Sequence, residues 1–239
     1  MREGPRTMRN EGGGALPKDD PAAPGREVFP GFEAIPRLFA NEVEGLGDDI
    51  LDRRRPEKGW GGWSIREQVS HVAWIPPLIF YVFWKEILFG GAAPSGAVRV
   101  ETGGADRMLD PGRYRRMSEI LGVLEAGFGE GWNILGRETL GSLRDKTLAR
   151  RIEPGRIWAT GERAIDYFET LVLPAHRTGL RRDEKDPCLF HQTLESAMRH
   201  IVWEAFVHLK TIQHHKAAEG LPAAASVPEE GYVALLEWD

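Results

Sequence analysis

The chain has 239 residues, a formal net charge of −5 and a single cysteine. That length suits one domain with tails and can bury a full core, and the mildly acidic, interspersed charge argues against nucleic acid as the main partner. The thiol, Cys188, has no cysteine to pair with, and its polar loop Lys185-Asp186-Pro187-Cys188 offers no base at helical spacing, which argues against a nucleophile.

Residues 1 to 28 are rich in Gly, Pro and charge, as in Glu11-Gly12-Gly13-Gly14 and Pro21-Ala22-Ala23-Pro24. Such a stretch buries too little apolar surface to offset its ordering entropy and reads as a disordered N-terminal tail. It carries no apolar run of the kind a secretory signal needs, so a cytoplasmic location is the expectation. A helical domain is expected over 29–220 and a C-terminal tail over 221–239.

The first helix is predicted over 32–52, with Ile35, Leu38, Phe39, Val43, Leu46 and Ile50 at the 3.6-residue period and Pro36 in its first turn. Ser64-Ile65-Arg66-Glu67 then matches a capping box, with Trp63 before it as a hydrophobic staple. The helix that follows carries Ile65, Val69, Val72, Ile75 and Ile79 on one face, with His71 at the margin of that face. Pro76-Pro77 removes two amide donors and predicts a kink or break just after His71. The continuation over 78–89 is apolar almost all round, which suggests deep burial or a homodimer interface. The most membrane-like run, 69–84, contains Ser70, His71 and both prolines and falls short of the ~20 apolar residues of a membrane span.

Residues 90–110 read as a Gly- and Ala-rich loop. Asp110-Pro111 looks like the start of a third helix through Tyr114, Met117, Leu121, Leu124, Phe128 and Leu135. Residues 147–158 look extended or irregular. A short helix is predicted over 161–173, ending at Pro174, and 175–185 looks basic and mobile. Thr193 is a cap for a last helix that runs to Ala218 and stops before Gly220. The glycines are scattered, and none forms a phosphate-binding loop between a strand and a helix. Tyr232, Leu235 and Trp238 are the residues through which the C-terminal tail could pack. Four long helical patterns with little strand signal predict an all-α, up-down four-helix bundle with an extra helix and loop before the last helix.

The chemistry concentrates in the last helix. His200, Glu204 and His208 recur every fourth residue, and each such step drifts about 40° around a helix, so they form one row beside Leu194, Ala197, Ile201, Ala205 and Ile212. A carboxylate and an imidazole facing a core need compensation, and a metal ion supplies it. Glu204 and His208 offer two ligands one turn apart, and His71 from the second helix is the best candidate for the third. A set of three leaves coordination positions for water or substrate. Ligand softness allows zinc, nickel or iron(II). His200 reads as an outer-shell partner or an exposed helix residue, with exposure preferred; His214 and His215 read as caps of the last turn. Lys210, Thr211, His214 and His215 are an alternative polar cavity, and His176 and His191 receive no role. Most of Trp60, Trp63, Trp74, Trp84, Trp132 and Trp203 belong to the core, with one or two left to wall an apolar pocket beside the metal.

Two passages together resemble the DinB-like (DinB/YfiT) superfamily of four-helix-bundle metalloproteins. The stretch from Trp63 to Val72 is similar to the opening of that family's second helix: a Trp, a hydroxyl cap, an acidic residue, then a ligand His. Thr193 through His200 to His208 is similar to its fourth helix. The resemblance departs at Glu204, where the family usually has His, and at Leu209-Lys210-Thr211, where it usually has Arg-Gly-Gln. The region 147–190 is longer than the family's connection and is expected to cover the site or build an interface. The resemblance implies a divalent-metal protein with ligands His71, Glu204 and His208, and an S-transferase activity using a small-molecule substrate and a low-molecular-weight thiol of the bacillithiol or mycothiol type. The alternatives are a non-catalytic bundle that binds metal or ligand or dimerises, and a metal-assisted hydrolase.

Overall fold

A computed structural model describes residues 19–100, 107–158 and 161–238. The expected N-terminal tail lies outside these residues up to position 18. Its remaining part is ordered rather than free: Gly25 N–H donates to Glu138 O at 2.8 Å, Pro24 bridges to Thr139, and Ala23 is buried. A Cβ on Gly25 would lie 2.7 Å from Leu135 O, so only glycine permits this approach.

Four helices carry most of the core: α1 (Ile35–Val43), α2 (Ile65–Leu78), α3 (Met117–Leu135) and α4 (Leu194–Ala218). The continuous first helix expected over 32–52 is interrupted, because Gly45 takes a left-handed φ of 73° and a separate single turn, Asp48–Leu51, follows. α2 opens as expected: Ser64 Oγ accepts from Glu67 N–H at 3.3 Å, and Glu67 Oε2 accepts from Ser64 N–H at 2.8 Å. Of the kink or break predicted after His71, the break does not occur. α2 runs through both prolines to Leu78 and loosens only afterwards, in a π-turn at Ile79–Phe83. Tertiary packing accounts for this, since the buried proline rings lie against α3, where a Cβ on Gly127 would be 3.1 Å from Pro76 Cβ. α3 begins six residues later than Asp110-Pro111 promised. Asp110 instead closes a turn on Gly112 N–H at 2.8 Å, and Glu119 caps the helix by accepting from Arg116 N–H at 3.0 Å. α4 has the predicted ends, with Thr193 Oγ1 accepting from Ser196 N–H at 3.2 Å and Gly220 at φ 72° beyond it.

The all-α expectation is corrected by a small antiparallel sheet of order β1-β3-β2: β1 (Thr147–Arg151), β2 (Leu180–Arg182) and β3 (Leu189–Thr193). Thr147 pairs with Thr193 and Leu180 with Gln192. These strands have three to five residues, too few for alternation to stand out in the sequence. The segment expected to be mobile, 175–185, contributes β2. The sheet and the short helices between Ala164 and Ala175 enclose a second core of Ile152, Ile165, Phe168, Val172, Phe190 and Tyr232. Because β3 ends on the residue that caps α4, the second core is joined to the main one without a flexible connection. Trp203 and Val207 of α4 pack against both cores. Within the apolar stretch after α2, Phe80 and Trp84 are buried while Val82 and Ile87 remain partly exposed. Among the described residues, no helix is long and apolar enough to cross a membrane.

Candidate metal centre

α2 and α4 pack side by side and bring three predicted side chains to one buried point. One donor atom from each of His71, Glu204 and His208 lies within 4.8 Å of the others, so the group could hold a metal ion. His71 Nε2 stands 3.7 Å from Glu204 Oε2, and His208 Nε2 stands 3.4 Å from the same oxygen. All three residues are at least nine-tenths buried. Trp63 and Trp74 shield them from water: the Trp63 ring lies 4.9 Å from His71 and 5.9 Å from His208, and Trp74 lies 6.0 Å from His71.

The outer nitrogens decide what the inner ones can do. His71 Nδ1–H donates to Arg107 O at 2.5 Å, and His208 Nδ1–H donates to Gln68 Oε1. A carbonyl oxygen only accepts, so in a neutral ring the proton sits on Nδ1 and the Nε2 lone pair turns inward. Gln68 Nε2–H, donating to Trp63 O at 3.4 Å, sets the amide so that its oxygen meets the imidazole. Burial pushes His71 down to about 4, so this ring is neutral at physiological pH. Electron-rich atoms facing each other in a dry setting repel, and a cation between them turns the repulsion into coordination.

A third contact fixes the carboxylate. Tyr167, between the sheet and α4, donates its phenol to Glu204 Oε1 and leaves Oε2 for the histidines. Burial and then the charge of Glu204 push the Tyr167 phenol well above its ordinary value, so it keeps its proton. His200, for which exposure was preferred, is instead held by Tyr232, whose hydroxyl lies 2.6 Å from His200 Nδ1 and 2.8 Å from His176 Nε2. His176 is buried at 1% exposure, and burial lowers its pKa to about 3. His215 is likewise no solvated cap: it is buried, with Nε2–H donating to Trp63 O at 2.9 Å. His214 stacks on Trp238 with ring centroids 5.4 Å apart, and His191 pairs with Asp183 at 2.9 Å. A cavity lies beside His71 and Glu204.

That cavity has a volume of about 160 Å³. Its wall is apolar at Trp74, Ile75, Phe83, Trp158 and Phe168, and cationic at Arg107 and Arg150. Of the six tryptophans from which one or two pocket walls were expected, Trp74 supplies one, whereas Trp158 was not among them. Gln68, Arg107, Tyr167 and Tyr232 were not anticipated as site residues. Gln68 carries a local signal, a polar residue one turn before His71 on the same helix face. The two tyrosines and Arg107 reach the site from distant segments and carry none.

Compared with protein-family models, with curated proteins and with solved structures, the chain matches none.

Proposed function

We propose that this is a divalent-metal protein of the DinB-like kind, with four principal helices arranged as in that family's bundle, and that it catalyses thiol S-transfer. The observation that carries the metal reading is the convergence of His71 Nε2, His208 Nε2 and Glu204 Oε2 while each histidine's other nitrogen is bound to a carbonyl oxygen. Two imidazoles and a carboxylate suit zinc, nickel or iron(II) and leave open positions. A divalent ion held there would supply Lewis acidity that favours the thiolate form of an incoming thiol.

The protein's own residues would do the rest. Tyr167 orients the carboxylate, Gln68 and the Arg107 carbonyl set the imidazole tautomers, and Trp63 and Trp74 keep water out. The cavity receives the electrophile beside the group, with its apolar part on Ile75, Phe83 and Phe168. Sulfur forms the new bond to carbon, the leaving group departs with the old bonding pair, and the thiol proton is released.

The test is metal content by mass spectrometry of protein purified without chelator or affinity metal, with His71→Ala and Glu204→Gln alongside. The expected result is near-stoichiometric metal in the wild type and its loss in both variants. A wild type that stays empty after exposure to zinc, nickel and iron(II) would sink the reading. Thiol transfer should then disappear in His208→Ala while its circular dichroism stays native; metal without any thiol-dependent turnover would remove the transferase assignment alone.

A further inference from the structure

Four arginines line the cavity, and two are accounted for or engaged elsewhere. Arg151 pairs with Asp186 and with Glu153 at 3.6 Å, and Arg156 has an interaction of its own. Arg150 and Arg107 differ. Arg150 faces inward from β1, with its guanidinium carbon 4.1 Å from the Phe83 ring centroid and 5.1 Å from that of Phe168. Among the described residues no carboxylate pairs with it, and its charged neighbour is Arg156. Burial, and then that neighbour, lower its pKa only to about 10, so it stays charged at neutral pH.

Arg107 lies between Trp158 and Trp63, 3.8 and 5.2 Å from their ring centroids. Its Nε is buried without a hydrogen-bond partner, and its backbone takes a φ of 53°, the one positive value outside glycine among the described residues. Strained backbone and an unsatisfied donor persist where the surrounding structure enforces them, and they concentrate at ligand sites. Glu204 and Glu162 lie near enough to Arg107 to offset part of its charge; Arg150 has no such compensation. A partly buried cation without an acid is costly, and a ligand that brings the negative charge removes that cost.

We propose that Arg150, assisted by Arg107, is an anion-binding subsite for the acidic group of a small organic carboxylate, whose apolar body packs on Ile75, Leu78 and Trp74. The planar guanidinium offers paired donors matched to a carboxylate. A cavity of about 160 Å³ is of the size that admits a single ring, since apolar cavities of about 150 Å³ take benzene. The subsite rests on the metal reading only for the statement that this anion is the substrate; its binding needs the arginines and not the ion.

The experiment is calorimetric titration of the full chain with benzoate and with benzamide, its uncharged isostere, before and after removal of metal by chelator. Wild type, Arg150→Met and Arg150→Lys are compared, with circular dichroism as the folding control. Benzoate should bind at least about tenfold tighter than benzamide with or without chelator; Arg150→Met should abolish that preference and Arg150→Lys should retain part of it. Equal affinities for the two probes in the wild type overturn the subsite, and this comparison does not depend on any variant folding. So does a benzoate preference that survives Arg150→Met, or one that vanishes on chelation, which would assign the anion to the metal instead. Failure of the metal reading shows separately, as protein that carries no ion yet keeps the benzoate preference.

Discussion

At His71 and His208 the tautomer is set by what the outer nitrogen touches. Neither Gln68 nor the Arg107 carbonyl would contact an ion, yet together they aim both Nε2 lone pairs at Glu204. Loss of such an outer contact usually weakens metal affinity by about 10- to 100-fold. Gln68→Ala should therefore bind zinc more weakly by that factor in competition with a chromophoric chelator, with near-native helicity; unchanged affinity would show that the amide does not orient His208. The neutral state of His71 also has a consequence for stability. Its pKa is about 4 in the folded protein, below the value of about 6.5 in an unfolded chain, so below pH 6.5 the unfolded state binds the extra proton. The contribution is fully present above pH 6.5 and is lost as pH falls towards 4. His176, at about 3, acts in the same direction. At about 1.4 kcal/mol per unit, His71 alone contributes on the order of 3 kcal/mol. Chelator-treated protein should show a falling urea midpoint between pH 7 and pH 4.5, and a flat midpoint would contradict the neutral buried imidazoles.

At the scale of elements, close contacts place the site. α2 stays helical past its prolines, Gly127 lets α3 come against their rings, and Ile75 and Leu78 of the same helix line the cavity. The C-terminal segment reaches the site in a similar way. Gly231 has a φ of 55°, and a Cβ there would fall 2.2 Å from Trp203 Cγ, so the chain can pass over the indole only as glycine. The next residue, Tyr232, then enters the second core and meets His176 and His200. Gly231→Ala should lift this segment and cost about 1–3 kcal/mol, the usual penalty of overpacking. Hydrogen exchange should report it as faster amides over 231–236 and around His200. Protection equal to wild type would mean that Tyr232 is held by other contacts.

Across the whole molecule, one buried ion pair ties the two ends of the described chain together. Glu42 of α1 is fully buried and accepts from Lys216 Nζ at 2.5 Å, Gln213 Nε2–H at 2.8 Å, Ala224 N–H at 2.8 Å and Ala225 N–H at 2.9 Å. Burial opposes its ionisation, but the hydrogen bonds led by Lys216 outweigh it and lower its pKa. Glu42→Ala would leave a buried ammonium unpaired and release the Ala224 and Ala225 N–H groups. The expected loss is about 3–5 kcal/mol, with the C-terminal segment open to limited proteolysis. A loss under about 1 kcal/mol would show that the α1–α4 contact does not depend on the pair.

What the sequence determined by itself was local or periodic. The capping box at Ser64 and Glu67, the cap at Thr193, the stop before Gly220 and the row His200, Glu204, His208 all follow from spacings within a few turns of helix. Even the third member, His71, was available as the one polar imidazole on a well-capped apolar helix. Tertiary structure alone decided the rest. The sheet forms because three short strands find one another across intervening chain, and no single strand is long enough to announce itself. Arg107, Tyr167 and Tyr232 come to the site from separate segments, each placed by packing rather than by spacing. α2 continues through Pro76-Pro77, and its proline rings pack against Gly127 of α3, a contact between segments far apart in the chain. A helix writes its pattern into neighbouring residues, whereas a cavity is made by segments whose distance in the chain says nothing about their distance in space.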